Sequence, residues 1–379
     1  MSFSAEDQKF MQRAIELAQQ GLYSAKPNPA VGCVLVKNSQ IVGEGWHLKA
    51  GEPHAERVAL AGAGQEAKGS TAYVTLEPCS HYGRTPPCAD GLVEAGVSRV
   101  VVAMQDPNPL VSGQGIAKIQ QAGIVVEVGL LEAQARALNS GFIQVMETKL
   151  PFVRVKMASS LDGRTAMESG ESQWITGAES RQEVHKLRAL SGAIVTGIGT
   201  VLADDPSLTV RLSDAVLAEM NLDATSCHPI RVVLDPNLSM PMDAKMLSAP
   251  GRTILMTSKE TVDRDPELVE ALIENGYEIV AVAADDDRLD IESILHYLAD
   301  EESVRDVMVE SGAIVAGAFV QSGLVNELHC YIAPILMGDA AKPMFVLPGI
   351  DSMADKLKFK IDSMTLFGDD IRLVMVPKS

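Results

Sequence analysis

Between Ser4 and Thr148, β-rich segments alternate with amphipathic helical segments, and this alternation restricts the possible folds more than any other feature of the chain. A first helix is expected from Ser4, where Asp7 three residues on makes a capping box and Phe10, Ala14, Leu17 and Ala18 share one face. Strands are expected over 30–36 and 40–46, joined by the turn formers Lys37-Asn38-Ser39. Helices over 53–63, 88–95, 116–121 and 130–148 and strands over 71–76, 99–104 and 124–128 complete an α-β-β-α-β-α-β-α-β-α order. Strands separated by helices imply an α/β fold with a mostly parallel sheet covered on both faces.

At 379 residues the chain is long enough for two cores. The helical stretch 130–148 runs into Pro151, which cannot continue a helix, and a strand-like segment begins at Phe152. Domains over 1–149 and 150–379 are expected. Charge divides at the same place: of the net −18, only −2 falls in residues 1–149 and −16 in 150–379. Such acidity opposes sequence-independent binding to nucleic acid or to an anionic membrane. No apolar run reaches the roughly 18 residues of a membrane span. The first 21 residues read as an amphipathic helix and not as a secretory signal, and five cysteines form no regular framework. A reducing cytoplasm is the expected location, with Cys33, Cys227 and Cys330 as packed thiols.

The chemically informative residues fall at the turns. His54-Ala55-Glu56 opens one helix, Pro78-Cys79 follows a strand, and Cys88 opens the next helix after Pro86-Pro87. One imidazole and two thiolates suit zinc and leave a fourth position for water, whose pKa the ion lowers toward neutrality. Glu56 reaches the same point only at the helix entry, where it would take the water's proton and deliver it to substrate. The N-terminus of the Cys88 helix is expected to favour that residue's thiolate. In this order the residues form the zinc deaminase signature, the alternative being a buried histidine with two inert core cysteines. Eight residues separate Cys79 from Cys88, where nucleic-acid deaminases have two, and the insert carries His81 and Arg84.

At these residues the sequence resembles the bifunctional riboflavin-biosynthesis deaminase/reductases of bacteria. Four blocks carry the likeness in order: Pro27 to Gly32, His54 to Glu56, Glu77 to Cys88, and Asp106 to Gly115. The resemblance implies a cytidine-deaminase-like three-layer α/β/α domain. It also implies one zinc per chain on His54, Cys79 and Cys88, Glu56 as catalytic acid/base, and Asn28, His81 and Arg84 as substrate contacts.

In the second half, strands are expected over 152–159, 193–197, 231–234, 253–256, 278–282 and 306–309, and Thr176 with Glu179 suggests a capping box for a helix to about Leu190. Gly197-Ile198-Gly199-Thr200 begins like a dinucleotide fingerprint, but Leu202 stands where the third glycine belongs, which disfavours a Rossmann domain. Glu310-Ser311-Gly312-Ala313 opens a helix after an apolar strand, as a phosphate cradle or as ordinary tight packing. Residues 155–163, 174–177, 195–211 and 309–312 resemble the reductase domain of the same family, with a dihydrofolate-reductase-like α/β fold. The resemblance implies NADPH contacts at Ala158, Trp174, Thr200, Asp204, Gly312, Ala313, Ile314, Val315, Ala316, Gly317 and Ala318. It implies substrate contacts at Ser172, Arg188, Leu208, Arg211 and Glu310, with Arg188 and Arg211 as phosphate forks and Lys156 and Glu310 as catalytic proton-exchanging groups. Trp174 outside that context reads as a core aromatic. The family has aspartate where this chain has Gly192, and the stretch from Arg211 to Asn221 reads as a variable loop.

The function implied is hydrolytic deamination of a phosphorylated pyrimidine, 2,5-diamino-6-(5-phosphoribosylamino)pyrimidin-4-one, by zinc hydroxide, followed by NADPH reduction of its ribosyl group to ribityl. A homo-oligomer, dimer or tetramer, is expected from the family. The rival reading, a nucleotide or nucleic-acid deaminase with an accessory binding domain, is opposed by the charge and by the long Cys–Cys insert.

Overall fold

The computed structural model describes residues 3–80, 86–109, 111–285 and 288–378. His81 and Arg84 therefore lie outside the described residues. The chain separates into two compact units, Met1–Lys149 with Ala215–Asp223, and Leu150–Asp214 with Ala224–Ser379. The stretch after Arg211, expected as a loop, contains the helix Asp214–Glu219 with Leu217 buried. Ala215–Asp223 belongs to the first unit, where Asn221 Nδ2 donates to Gln20 O at 2.9 Å.

The first unit runs α1 (Ala5–Gln19), β1 (Gly32–Lys37), β2 (Gln40–Trp46), α2 (Ala55–Ala63), β3 (Thr71–Val74), α3 (Cys88–Ala95), β4 (Arg99–Val102), α4 (Gln114–Gln121), β5 (Val125–Val128), α5 (Glu132–Leu138) and α6 (Ser140–Thr148). The Ser4–Asp7 capping box is formed. The sheet order is β2-β1-β3-β4-β5. It is mixed: β2, β3, β4 and β5 run in one direction, as expected of a mostly parallel sheet, and β1 alone is reversed, antiparallel to both neighbours. The cause is local. Asn38 and Ser39 both take positive φ, 50° and 60°, and close a two-residue hairpin that turns β2 back on β1.

Side-chain alternation along β1 builds both faces of the sheet. Val34 and Val36 pack with Phe10, Met11 and Leu17 of α1, and Cys33 and Leu35 pack with Ala55, Ala59 and Leu92 of α2 and α3. The single helix expected over 130–148 is broken at Asn139, which is buried and spends its side chain elsewhere. Its Oδ1 accepts from Ala30 N at 2.8 Å and its Nδ2 donates to Ala30 O at 2.9 Å, which anchors the segment bearing Asn28.

In the second unit one sheet of nine strands runs, edge to edge, Glu278–Val282, Thr253–Ser258, Ile230–Leu234, Ala193–Gly197, Asp306–Val309, Phe152–Ser160, Glu327–Ala333, Asp370–Pro377 and Phe359–Phe367. The first seven are parallel, Asp370–Pro377 runs against them, and Phe359–Phe367 pairs antiparallel with Asp370–Pro377. This order differs from the doubly wound dinucleotide-binding order. The strands from Glu327 onward escaped the sequence reading, and of these the outermost, Phe359–Phe367, carries exposed residues on both faces and shows no clean alternation. The capping box at Thr176 is absent: the helix Ala178–Leu190 starts at Gly177, and Asp370 accepts from Gly177 N at 2.7 Å and from Ser180 Oγ at 2.6 Å. At Gly192 an added Cβ would lie 3.2 Å from Val304 Cγ1, so the position has little room for a larger side chain.

Candidate active sites

His54 is the N-cap of α2, with extended backbone (φ −71°, ψ 160°), and its ring therefore leaves the helix instead of following it. That geometry lets His54 and Glu56, two residues apart, approach one point. Cys79 follows β3, and Cys88 is the first residue of α3. His54 Nδ1 lies 3.6 Å from Cys79 Sγ and 3.4 Å from Cys88 Sγ, and the three donor atoms lie within 4.8 Å of one another. Tetrahedral zinc, with bonds of about 2.3 Å to sulfur and about 2.1 Å to nitrogen, needs ligand atoms about 3.5–3.8 Å apart, and the donor set fits it.

The backbone at the start of α3 meets the first thiol as well as carrying the second. Cys88 N–H donates to Cys79 Sγ at 3.3 Å. The bond between the two thiols, with His54 beside them, draws the Cys79 thiol well below its ordinary value. The hydrogen bond to Cys79 raises the His54 pKa. Glu56 is 3% exposed, and burial followed by the Cys79 charge pushes it up to about 7.

These groups sit at a cleft of about 470 Å³ that is also lined by Asn28, His47, Asp106, Asn108, Val111 and Phe142. His47 is a residue the sequence reading missed, since nothing in its spacing marks it. Its Nδ1 lies 3.2 Å from Pro53 O, which can only accept, so Nε2 is left to accept from Asn28 Nδ2 at 3.0 Å. Burial lowers its pKa and favours this neutral form. Arg57 was missed as well. Its Nη2 donates to Pro87 O at 2.8 Å, immediately before Cys88, and its guanidinium lies where a Cβ on Gly91 would come within 2.7 Å.

In the second unit, Lys156 and Ala158 alternate with the buried Val155 and Met157 on their strand. Glu310 follows the neighbouring strand. Its Oε1 lies 3.4 Å from Lys156 Nζ and 2.9 Å from Arg188 Nη2, and its Oε2 lies 2.8 Å from Arg188 Nε. Burial would raise the Glu310 pKa, but Arg188 and Lys156 outweigh it and hold the carboxyl far below its ordinary value. Arg188 Nη1 donates to Thr209 O at 2.8 Å. The fork expected to face a phosphate meets Glu310 in this structure. Arg211 is exposed, and its N–H donates to His185 Nδ1. Leu208 is buried at positive φ.

The expected cofactor contacts divide by exposure. Trp174 is 65% exposed and not a core residue, and Arg181 stacks 4.5 Å from its ring centre. Thr200 Oγ1 accepts from Gly312 N at 3.0 Å, and Ser172 Oγ lies 3.4 Å from Asp204. Gly312 and Ile314 are exposed at the start of the helix Ala313–Ser322, which has no acidic residue in its first turn and so fits an anionic cofactor. Ala313 and Val315 are half-buried and Ala318 exposed, whereas Ala316 and Gly317 are buried, Gly317 where a Cβ would meet Val346 O at 2.0 Å.

Residues 4–104 match the zinc-binding region of cytidine and deoxycytidylate deaminases, and residues 151–373 match the RibD C-terminal domain. The riboflavin biosynthesis protein RibD of Escherichia coli K12 is 46% identical over 377 residues, covering 98% of this chain and 99% of that protein. The chain belongs to the bifunctional riboflavin-biosynthesis deaminase/reductase family. Among solved structures of this family, Acinetobacter baumannii RibD (form 1) is 47% identical with a TM-score of 0.89, covering 99% of both chains. The Thermotoga maritima diaminohydroxyphosphoribosylaminopyrimidine deaminase/5-amino-6-(5-phosphoribosylamino)uracil reductase is 34% identical with a TM-score of 0.83, covering 98% of this chain and 99% of that one. The first unit carries the deaminase domain of the family and the second the reductase domain.

Proposed function

We propose that the chain performs two consecutive steps of riboflavin biosynthesis, the two named for the Thermotoga relative. The first is hydrolytic loss of ammonia from 2,5-diamino-6-(5-phosphoribosylamino)pyrimidin-4-one, and the second is reduction of the product's ribosyl group to ribityl. The observation that carries the reading is the meeting of His54, Cys79 and Cys88 beside buried Glu56 in a cleft, in one chain with the Lys156–Glu310–Arg188 cluster.

His54, Cys79 and Cys88 would hold one zinc ion, which supplies the Lewis acidity that makes water nucleophilic near neutral pH. Glu56 takes a proton from water and passes it to the pyrimidine, whose amine departs as ammonia. Asn28, oriented by His47, hydrogen-bonds the pyrimidine edge, and the reading keeps His81 and Arg84 as further substrate contacts. In the reductase domain a bound NADPH would supply the hydride for C1 of the opened sugar imine, whose nitrogen needs a proton from the protein. Glu310, held ionised by two cations, is an acceptor and not a proton donor, so Lys156 delivers that proton. Arg188 fixes Glu310, leaving Arg211 as the phosphate fork, with Ser172 and Leu208 lining the same site. Ala158, Trp174, Thr200, Asp204 and the first turn from Gly312 receive the cofactor. Family membership supports a cytoplasmic homo-oligomer, dimer or tetramer.

The test is to supply the diaminopyrimidine with and without NADPH. Ammonia release without NADPH, and NADPH oxidation only after deamination, is the expected result. No ammonia from zinc-loaded protein defeats the reading.

A further inference from the structure

Ser112-Gly113-Gln114-Gly115 opens α4 with the glycine spacing that elsewhere cradles phosphate. Here the anion in the cradle belongs to the protein. Glu77, 3% exposed, receives four backbone N–H groups: Oε1 accepts from Gly115 at 2.9 Å and Ile116 at 3.2 Å, and Oε2 from Gly113 at 2.9 Å and Asp106 at 3.2 Å. Both glycines are required by this geometry. Gly113 sits at φ +78°, and a Cβ on Gly115 would fall 1.9 Å from Pro78 O. Glu77 stands two residues before Cys79 and itself borders the cleft, and the chain it grips carries Asp106, Asn108 and Val111 into the same wall.

We propose that Glu77 is a positioning residue for the deamination, setting the cleft wall at Asp106, Asn108 and Val111 relative to the metal donors and Glu56. The inference rests on the deaminase reading. A carboxylate shared among four amides is suited to this task, because hydrogen bonds to a charged acceptor are stronger than neutral ones and two per oxygen fix the orientation. Glu77 touches no reacting atom in this account. It acts through the chain segment that lines the cleft.

Glu77→Gln preserves shape but turns an amino group toward two N–H donors. In the zinc-loaded full chain, KM for the diaminopyrimidine should rise about tenfold to a hundredfold while kcat stays within about threefold, the size expected when bonds to a buried charged acceptor are lost. Zinc content and the reductase rate should stay at wild-type values. Amide hydrogen exchange at Asp106, Gly113, Gly115 and Ile116 should accelerate, a readout that needs no turnover. Should the variant fail to fold, Gly113→Ala strains one donor and should raise KM about three- to tenfold. An unchanged KM with unchanged exchange, or a fall in kcat at constant KM, overturns the proposal. Absence of ammonia from the wild type defeats the deaminase reading instead, and the exchange measurement still decides whether Glu77 holds the segment.

Discussion

In the deaminase domain the three metal donors lie within a separation of 34 residues and sit at turns flanking consecutive elements, whereas in the reductase domain Lys156 and Glu310 are 154 residues apart and meet only because their strands are neighbours. The electrostatics differ as well. The first site gathers donors whose shared protons a cation would displace, while in the second one carboxylate is gripped by an ammonium and a guanidinium, which leaves the cluster one positive charge in excess. A site of the first kind is specified by short-range spacing. One of the second kind is specified by sheet order.

If the two sites are separate machines, damage should stay where it is made. Glu56→Gln should lower the rate of ammonia release by about 10²–10⁴, the usual worth of a positioned acid/base, with zinc retained and reduction of the deaminated product unaffected. Lys156→Met should do the converse, lowering NADPH oxidation by a similar factor while ammonia release continues. Loss of both activities in either variant breaks the contrast.

The same contrast explains what was legible in the sequence. His54, Glu56, Cys79 and Cys88 could be read because metal chemistry needs particular residue types at particular turns. His47 could not, since a tautomer fixed by Pro53 O and used by Asn28 leaves no trace in spacing. That Arg188 also meets Glu310, 122 residues away, was not legible, because the two become neighbours only in the folded sheet. Helices with clean apolar periodicity were placed well. The break at Asn139 was not, because it depends on a buried pairing with Ala30, 109 residues distant. The β1–β2 hairpin was legible at Lys37-Asn38-Ser39, but the antiparallel pairing of β1 with β3 was not, because it joins strands on either side of α2.

A smaller effect concerns stability. Asp7 is buried, and the hydrogen bond from Arg99 at 2.6 Å, joined by Ser4 and Tyr73 at 2.8 Å, holds its carboxyl below the ordinary value of 3.8. A depressed folded pKa stabilises the fold above the unfolded value, and the contribution is lost as pH falls through the folded one. Asp7→Asn should cost about 1.5–3 kcal/mol near neutrality, and the difference from wild type in urea midpoint should shrink below about pH 4. A difference independent of pH would contradict the sign. The smallest effect is at Arg57: Arg57→Ala should speed zinc release to a chelator about tenfold, as loss of a group supporting a metal ligand does. Unchanged release would show that Pro87 and Cys88 hold their place without it.

Zinc removal tests the central claim most directly. Chelator-treated protein should release no ammonia from the diaminopyrimidine, yet oxidise NADPH at the untreated rate when given 5-amino-6-(5-phosphoribosylamino)uracil. Loss of NADPH oxidation together with ammonia release, restored by zinc, would contradict the division into one metal-dependent site and one built from Lys156, Arg188 and Glu310.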